Sequence, residues 1–145
     1  MKSMNPFSGT LPPERIKTDY LHRLAWGTDA SFYRKIPRLV LFPDTEEEVS
    51  EILDMCNKKQ IAVTFRAAGT SLSGQSLSDS VLLVASTRWD KYQVHDGGET
   101  ISLQPGIIGD RVNEILKPYG RKFSPDPASL SSAMVGGIMA NNASG

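Results

Sequence analysis

Cysteine is almost absent. The one thiol, Cys56, has no partner for an intrachain disulfide and excludes a cysteine-rich zinc or iron–sulfur site within these 145 residues. An excess of charge of either sign is also missing, because 16 Lys and Arg balance 16 Asp and Glu. A chain held to nucleic acid by phosphate neutralisation would be markedly basic, and a solvating acidic tail the opposite, so both classes are excluded. No apolar run approaches the roughly 20 residues that span a bilayer. Residues 1–10 carry one lysine and no apolar core, unlike a secretory signal. The expectation is a soluble globular chain of a reducing compartment, with the length of one domain.

What is present is an alternation of short apolar segments. Residues 1–13 hold Pro6, Gly9, Pro12 and Pro13 and read as a loose lead-in. Ile16, Tyr20 and Leu24 share a helical stripe over 14–24, which Trp26-Gly27-Thr28-Asp29 then breaks. Asp29 and Arg34, flanking Phe32, are candidates to orient this lead-in. Leu39-Val40-Leu41-Phe42 between two prolines predicts a strand. Asp44 or Thr45, followed three residues on by Glu47 or Glu48, predicts a capped helix start, and the acidic run 46–48 complements its dipole. Val49, Ile52, Leu53 and Cys56 follow on one helical face, with Cys56 in the core. Alternating Ile61, Val63 and Phe65 predict a strand, and Val81-Leu82-Leu83-Val84 a fully buried one. Asp96-Gly97-Gly98-Glu99 predicts a hairpin turn between 92–95 and 100–103, with His95 exposed beside it. Ile108, Val112, Ile115, Leu116 and Tyr119 predict a second amphipathic helix ended by Pro118 or Gly120. Residues 129–139 predict a short helix interrupted by two glycines. Trp26 and Trp89 read as packing residues, and His22 and His95 lie outside every candidate motif. Strand, helix, strand, strand, hairpin and helix in this order predict an α+β fold. The apolar small-residue stretch 133–140, followed at once by the last five residues, reads as the end of a truncated piece.

The loop after the 61–66 strand is the candidate site. It reads Arg66-Ala67-Ala68-Gly69-Thr70-Ser71-Leu72-Ser73-Gly74-Gln75. Gly69 and Gly74 let the main chain turn and approach a ligand. Successive exposed N–H groups form a concavity that favours an anion, and Thr70, Ser71 and Ser73 add hydroxyls. It is neither a Walker A sequence nor a Rossmann G-x-G-x-x-G. From spacing alone it reads either as an anion cradle or as an ordinary polar loop between strands. A second group is Ser124-Pro125-Asp126-Pro127-Ala128-Ser129, then Gly136-Gly137, then Asn141-Asn142-Ala143-Ser144-Gly145. Singly, these are a turn, a packing bend and a polar end.

Taken together, the two groups resemble the FAD-binding (PCMH-type) domain of the vanillyl-alcohol oxidase superfamily. The closest branch is that of D-lactate, glycolate and D-2-hydroxyglutarate dehydrogenases. Residues 33–37 and 41–49 resemble its entering strand and first helix, and 24–33 the lead-in of its larger members, which carry a C-terminal iron–sulfur segment. The resemblance covers residues 20–145. It implies two small α/β subdomains, a lead-in 1–35, a first subdomain 36–90 and the start of a second at 91–145, C-terminally truncated. It implies that Arg66, Ala67, Ala68, Gly69, Thr70, Ser71, Leu72, Gly74 and Gln75 surround the FAD diphosphate, with the N–H groups of 68–72 and the Ser71 hydroxyl donating and Gln75 closing the loop. Pro125, Asp126 and Ser129 would lie on the isoalloxazine–ribityl side, and Gly136, Gly137, Asn141 and Ser144 near the ribityl and phosphates. Thr70 stands where covalent-flavin members often carry His, which implies non-covalent FAD. The implied reaction is oxidation of a D-2-hydroxy acid by hydride transfer to flavin N5. The catalytic residues, a cap domain and any iron–sulfur cluster would lie outside this sequence, so no catalytic or metal residue is assigned in it. The implied partner is a small-molecule substrate, with no nucleic acid and no transmembrane segment. The implied location is the cytoplasm, with peripheral contact to the inner membrane as a variant. Two other readings are a non-catalytic nucleotide- or phosphate-binding module using the 66–75 loop and, within the same superfold, an NADPH-dependent cell-wall-precursor reductase.

Overall fold

A computed structural model describes residues 7–85 and 88–143. The chain divides into two compact units. The first comprises Met1–Arg66 with Ser71–Val84, and the second Ala67–Thr70 with Ala85–Gly145.

The first unit is built on a four-stranded sheet. Its strands are β1 (Ile16–Lys17), β2 (Leu39–Leu41), β3 (Val63–Arg66) and β4 (Val81–Val84), in the order β1-β2-β4-β3. β4 runs parallel to both β2 and β3, while β1 is an antiparallel edge. All four residues of β4 are buried, as a continuous apolar run requires of a strand covered on both faces. The alternation of side chains sorts the core into two layers. Leu39, Leu41, Val81 and Leu83 face Ile52 and Cys56 of the helix α2 (Glu46–Lys58), together with Phe7 and Leu11. Val40, Leu82 and Val84 face Trp26 and Phe42, whose rings meet edge-on at 5.3 Å.

The predicted helix over 14–24 is corrected. A 3₁₀ turn (Pro13–Arg15) leads into β1, and the helix α1 is only Tyr20–Ala25. Asp19 is the reason for the late start: its carboxylate accepts from the His22 N–H at 3.1 Å, so Asp19 is the cap and cannot be interior. Ile16 is used instead in the ladder opposite Leu41. Leu53 is a second correction, since it is 38% exposed and lies beside the core stripe rather than in it.

The start of α2 ties three segments together. The Thr45 hydroxyl accepts from the Glu48 N–H, and the Glu48 carboxylate reaches back to the Asp44 N–H at 2.7 Å. The same carboxylate takes both Arg15 guanidinium nitrogens at 2.7 and 2.6 Å. The Arg15 bonds, against the opposing effect of burial, hold the Glu48 carboxyl below its usual range. A depressed carboxylate contributes stability that is complete above its unfolded pKa and is lost as pH falls through the folded one. Glu48→Gln is therefore expected to cost about 2 kcal/mol at neutral pH and to flatten the fall in stability below about pH 5. Urea titrations of both proteins between pH 7 and pH 3 check this; parallel pH profiles would contradict it.

The second unit contains the hairpin β5 (Tyr92–His95) and β6 (Thr100–Leu103), with Tyr92 opposite Leu103 and His95 opposite Thr100. His95 is half-buried rather than exposed, because its Nε2 meets the Ser102 hydroxyl across the ladder at 2.9 Å. Helix α3 (Gly109–Leu116) buries Val112 and Leu116 against Ile107 and Val135. Helix α4 is Val135–Ala140, shorter than predicted. Residues 129–134 form a turn in which Ser129 O accepts from the Ser132 and Ala133 N–H groups, and both glycines lie inside α4 rather than interrupting it. Among the described residues no helix is long and apolar enough to cross a membrane, and no cluster of His, Cys, Asp or Glu could hold a metal ion.

Candidate functional site

The 66–75 loop begins where β3 ends. Its middle, Ala67–Thr70, belongs to the second unit, while Arg66 and the residues from Ser71 onward belong to the first. Gly69 and Gly74 both sit at φ 75°, the left-handed region that costs a residue with a Cβ roughly 1–2 kcal/mol. At Gly74 a Cβ would also come 3.0 Å from the Tyr33 ring.

The hydrogen bonds of this loop are few. Among the described residues, none of the main-chain N–H groups of 68–72 donates to a protein acceptor. None of these residues is buried, so their amides stay open to water or to a ligand. Ala68, Gly69, Thr70 and Ser71 are half-buried and Leu72 is largely exposed. A row of donors next to a left-handed glycine is what an anion-binding concavity requires. The residues present therefore fit a diphosphate: many neutral donors, no bulky side chain between Arg66 and Leu72, and no acidic group in the loop. The loop is braced by its own side chains. The Ser71 hydroxyl donates to Gln75 Oε1 and accepts from the Ser73 N–H at 3.2 Å. The Ser71 and Gln75 side chains thus meet across the second half of the loop.

Arg66 departs most from its expected place. Its side chain is turned into the first unit and is 9% exposed. Nη1 donates to Thr28 O at 2.7 Å and to Trp26 O at 3.4 Å, and the guanidinium lies 5.1 Å from the Trp26 ring centroid. Burial lowers its pKa, and attraction to Asp29 opposes that. Asp29 in turn accepts from the Ser31 N–H at 2.8 Å, from the Ser31 hydroxyl and from the Ser76 hydroxyl at 2.9 Å. Burial works against the Asp29 charge, yet the bonds from Ser31 and Ser76 outweigh it and keep the carboxyl below its usual range. Ser76 was missed from sequence. The available signal was an arginine in a strand, which when buried needs carbonyls or an acid elsewhere in the chain.

The second group lies in the second unit. Asp126 pairs with Lys122 at 2.6 Å on the surface, beside half-buried Pro125 and Ser129. Gly136 is a packing glycine: its N–H donates to Pro105 O at 2.9 Å, and a Cβ there would sit 2.7 Å from Pro105 Cβ. Gly137 is different, because its nearest neighbour for an added Cβ is Ala67 at 3.7 Å. This brings α4 beside the first residue of the Ala67–Thr70 stretch within the second unit. The exposed Asn141 closes α4, donating to Gly137 O at 3.1 Å. Ser144 lies outside the described residues.

A mixed α/β fold whose glycine-bearing loop offers a run of unpaired amides defines a binder of a phosphorylated cofactor. Comparison with known proteins makes this specific. The family model described as FAD binding domain matches residues 37–145, so the chain belongs to that family and is an FAD-binding domain of FAD-linked oxidoreductases, in the PCMH-type branch expected above. It is 31% identical over 134 residues to the D-2-hydroxyglutarate dehydrogenase of Haemophilus influenzae, covering 90% of this chain and 13% of that protein. It is 34% identical over 117 residues to the glycolate oxidase subunit GlcD of Escherichia coli strain K12, covering 79% of this chain and 23% of that protein. The chain thus spans a minor part of these relatives. Among solved structures, an alkyldihydroxyacetonephosphate synthase superposes with a TM-score of 0.80 at 22% identity, over 96% of this chain and 28% of the other, a likeness of fold.

Proposed function

We propose that this chain holds the FAD of an oxidoreductase that converts a D-2-hydroxy acid, of the D-lactate, glycolate or D-2-hydroxyglutarate type, to the 2-oxo acid. The observation that carries the reading is the row of unpaired amides at 68–72 in a chain of this family. When bound, FAD supplies the hydride acceptor, flavin N5. The chain's own residues bind and orient. The N–H groups of 68–72 receive the diphosphate, Gly69 gives them their direction, and the Ser71–Gln75 bond fixes the loop's second half. Pro125, Asp126, Ser129, Gly136, Gly137, Asn141 and Ser144 are proposed for the flavin and ribityl side. Gly136 serves there through the packing of α4 on Pro105. The subdomain bounds 36–90 and 91–145 belong to the same proposal.

The base that takes the hydroxyl proton and the group that binds the substrate carboxylate are assigned to other parts of the whole protein, as are a cap domain and any iron–sulfur cluster. A cytoplasmic location, with or without peripheral contact to the inner membrane, completes the reading. The names of the relatives, dehydrogenases and oxidase subunits, favour it over a non-catalytic phosphate-binding module.

Thr70 has no imidazole to form a histidyl flavin link, so the FAD in this reading is held non-covalently. The test is a fluorescence titration of FAD with the purified chain, followed by acid precipitation. Saturable one-to-one quenching with all flavin recovered in the supernatant is expected. Absence of binding removes the reading, and flavin retained in the pellet removes the non-covalent assignment.

A further inference from the structure

The lead-in turn at residues 26–33 touches the diphosphate loop at both of its ends. At the front end, Arg66 is held by two lead-in carbonyls, Trp26 O and Thr28 O, and by the face of the Trp26 ring. At the back end, the Ser76 hydroxyl donates to Asp29 at 2.9 Å, and the Tyr33 ring and Ser31 hydroxyl stand over Gly74, 3.0 and 3.6 Å from where its Cβ would be. Asp29 links the two ends. It accepts from Ser76 at one end, directly follows Thr28, whose carbonyl takes Arg66 at the other, and is braced by two bonds from Ser31. All these residues belong to the first unit. Arg66 and Ser76 are both about nine-tenths buried, so their bonds are made away from water, where losing a partner costs most.

We propose that Asp29 is a positioning residue, and that the turn around it is a clamp fixing both ends of the 66–76 loop in the shape that receives a diphosphate. This rests on the reading of the loop as an FAD site, and deepens it. The physical reason is entropic. A loop with five amides unused by the protein has few internal bonds to order it, and each bond to a ligand is worth more if the loop is already ordered. The self-contained Ser71–Gln75 bond orders the second half. Among the described residues no side-chain bond of that kind spans the first half, and its front end is set by the anchored Arg66.

The experiment has two readouts on the purified full chain. The first needs no flavin. Arg66–Ala67 is a tryptic bond whose arginine side chain is buried by the clamp. Trypsin is expected to spare it in the wild type, and Asp29→Ala or Ser76→Ala to raise the rate of appearance of a fragment beginning at Ala67 by about tenfold. The second is the dissociation constant for FAD, measured well below the melting temperature. Both variants are expected to bind about tenfold more weakly, while Asp29→Asn, which keeps an acceptor for Ser76, recovers most of the affinity. A merely structural aspartate would lower the melting temperature and leave the dissociation constant unmoved. Ser76→Ala removes a single oxygen and serves if Asp29→Ala does not fold. An unchanged cleavage rate, or an unchanged affinity beside a wild type that binds, overturns the clamp. A wild type that takes no FAD overturns the reading of the loop, and the tryptic readout then decides the clamp alone.

Discussion

Gly69→Val is expected to weaken FAD binding by about a hundredfold or more, with little change in the fold. The main chain at Gly69 has φ 75°, and the amides on either side of it donate to no acceptor among the described residues. A β-branched residue there costs at least the roughly 1–2 kcal/mol of the left-handed region. The chain can avoid that cost only by turning the peptide planes at 69 and 70. Turning them redirects the N–H groups of Gly69, Thr70 and Ser71 together. Hydrogen bonds to a charged group contribute about 1.5–3 kcal/mol each, so misdirecting even one or two accounts for the expected loss. The stability effect is small by comparison, because Gly69 belongs to none of the four apolar clusters. Gly74→Val at the same φ should act in the same direction, with the added crowding against Tyr33. Leu72→Ala is the control, since that side chain is 75% exposed. Titration by flavin fluorescence, with circular dichroism to confirm folding, makes the comparison. A Gly69→Val curve superposed on the wild type's would mean that the loop's amides do not meet the cofactor.

The parts of the fold legible in the sequence are those whose signal is local. The run Val81-Leu82-Leu83-Val84 read as a buried strand, and β4 is one, with all four residues buried. Asp44 or Thr45 with Glu47 or Glu48 announced the start of α2, where Thr45 is the cap, and Asp96-Gly97-Gly98-Glu99 the hairpin turn, because caps and turns are made by residues close in sequence. The failures have the opposite character. Ile16 keeps its helical spacing to Tyr20, but the energy that decides its fate comes from pairing with Leu41, 25 residues away, and from the Asp19 cap that forbids a continuous helix. The glycines of α4 looked like breakers. Tertiary packing overrides their poor propensity, because Gly136 lets the helix approach Pro105 closely. The candidate loop was legible as a string of small polar residues, and its glycines at 69 and 74 do take the conformation that glycine alone adopts readily. The role of Arg66 was not legible. An arginine beside a phosphate-binding loop reads as a phosphate ligand, and only the structure shows its guanidinium committed to Trp26 and Thr28. Ser76 was invisible for the same reason: its partner Asp29 is 47 residues earlier.

Leu83→Ala is the other change with a large expected effect, and it acts on stability. Leu83 is 1% exposed and lies in β4, one of the two inner strands, packed with Leu39, Leu41, Val81, Ile52 and Cys56. Truncating a leucine in such a place costs about 3–4 kcal/mol, the lost transfer energy plus the cavity that a close-packed sheet–helix interface cannot refill. Against the roughly 5–15 kcal/mol that stabilises a domain, this is a large fraction. The urea midpoint is expected to fall by on the order of 2 M, whereas Leu53→Ala, on the same helix as Ile52 but 38% exposed, should shift it far less. The damage also reaches the site by a definite route. Leu83 pairs with Phe65, and Val84 with Arg66, so β4 holds the last residue of β3 from which the loop springs. Sub-saturating FAD affinity in Leu83→Ala should therefore drop together with stability, and saturating FAD should restore part of the midpoint, because a ligand that binds only the folded state shifts the equilibrium toward it. Urea titrations with and without excess FAD measure both effects. A midpoint that FAD does not move in the wild type or in the variant would show that the cofactor does not bind the folded chain, and a midpoint unchanged by the substitution would show that β4 is not the centre of this core.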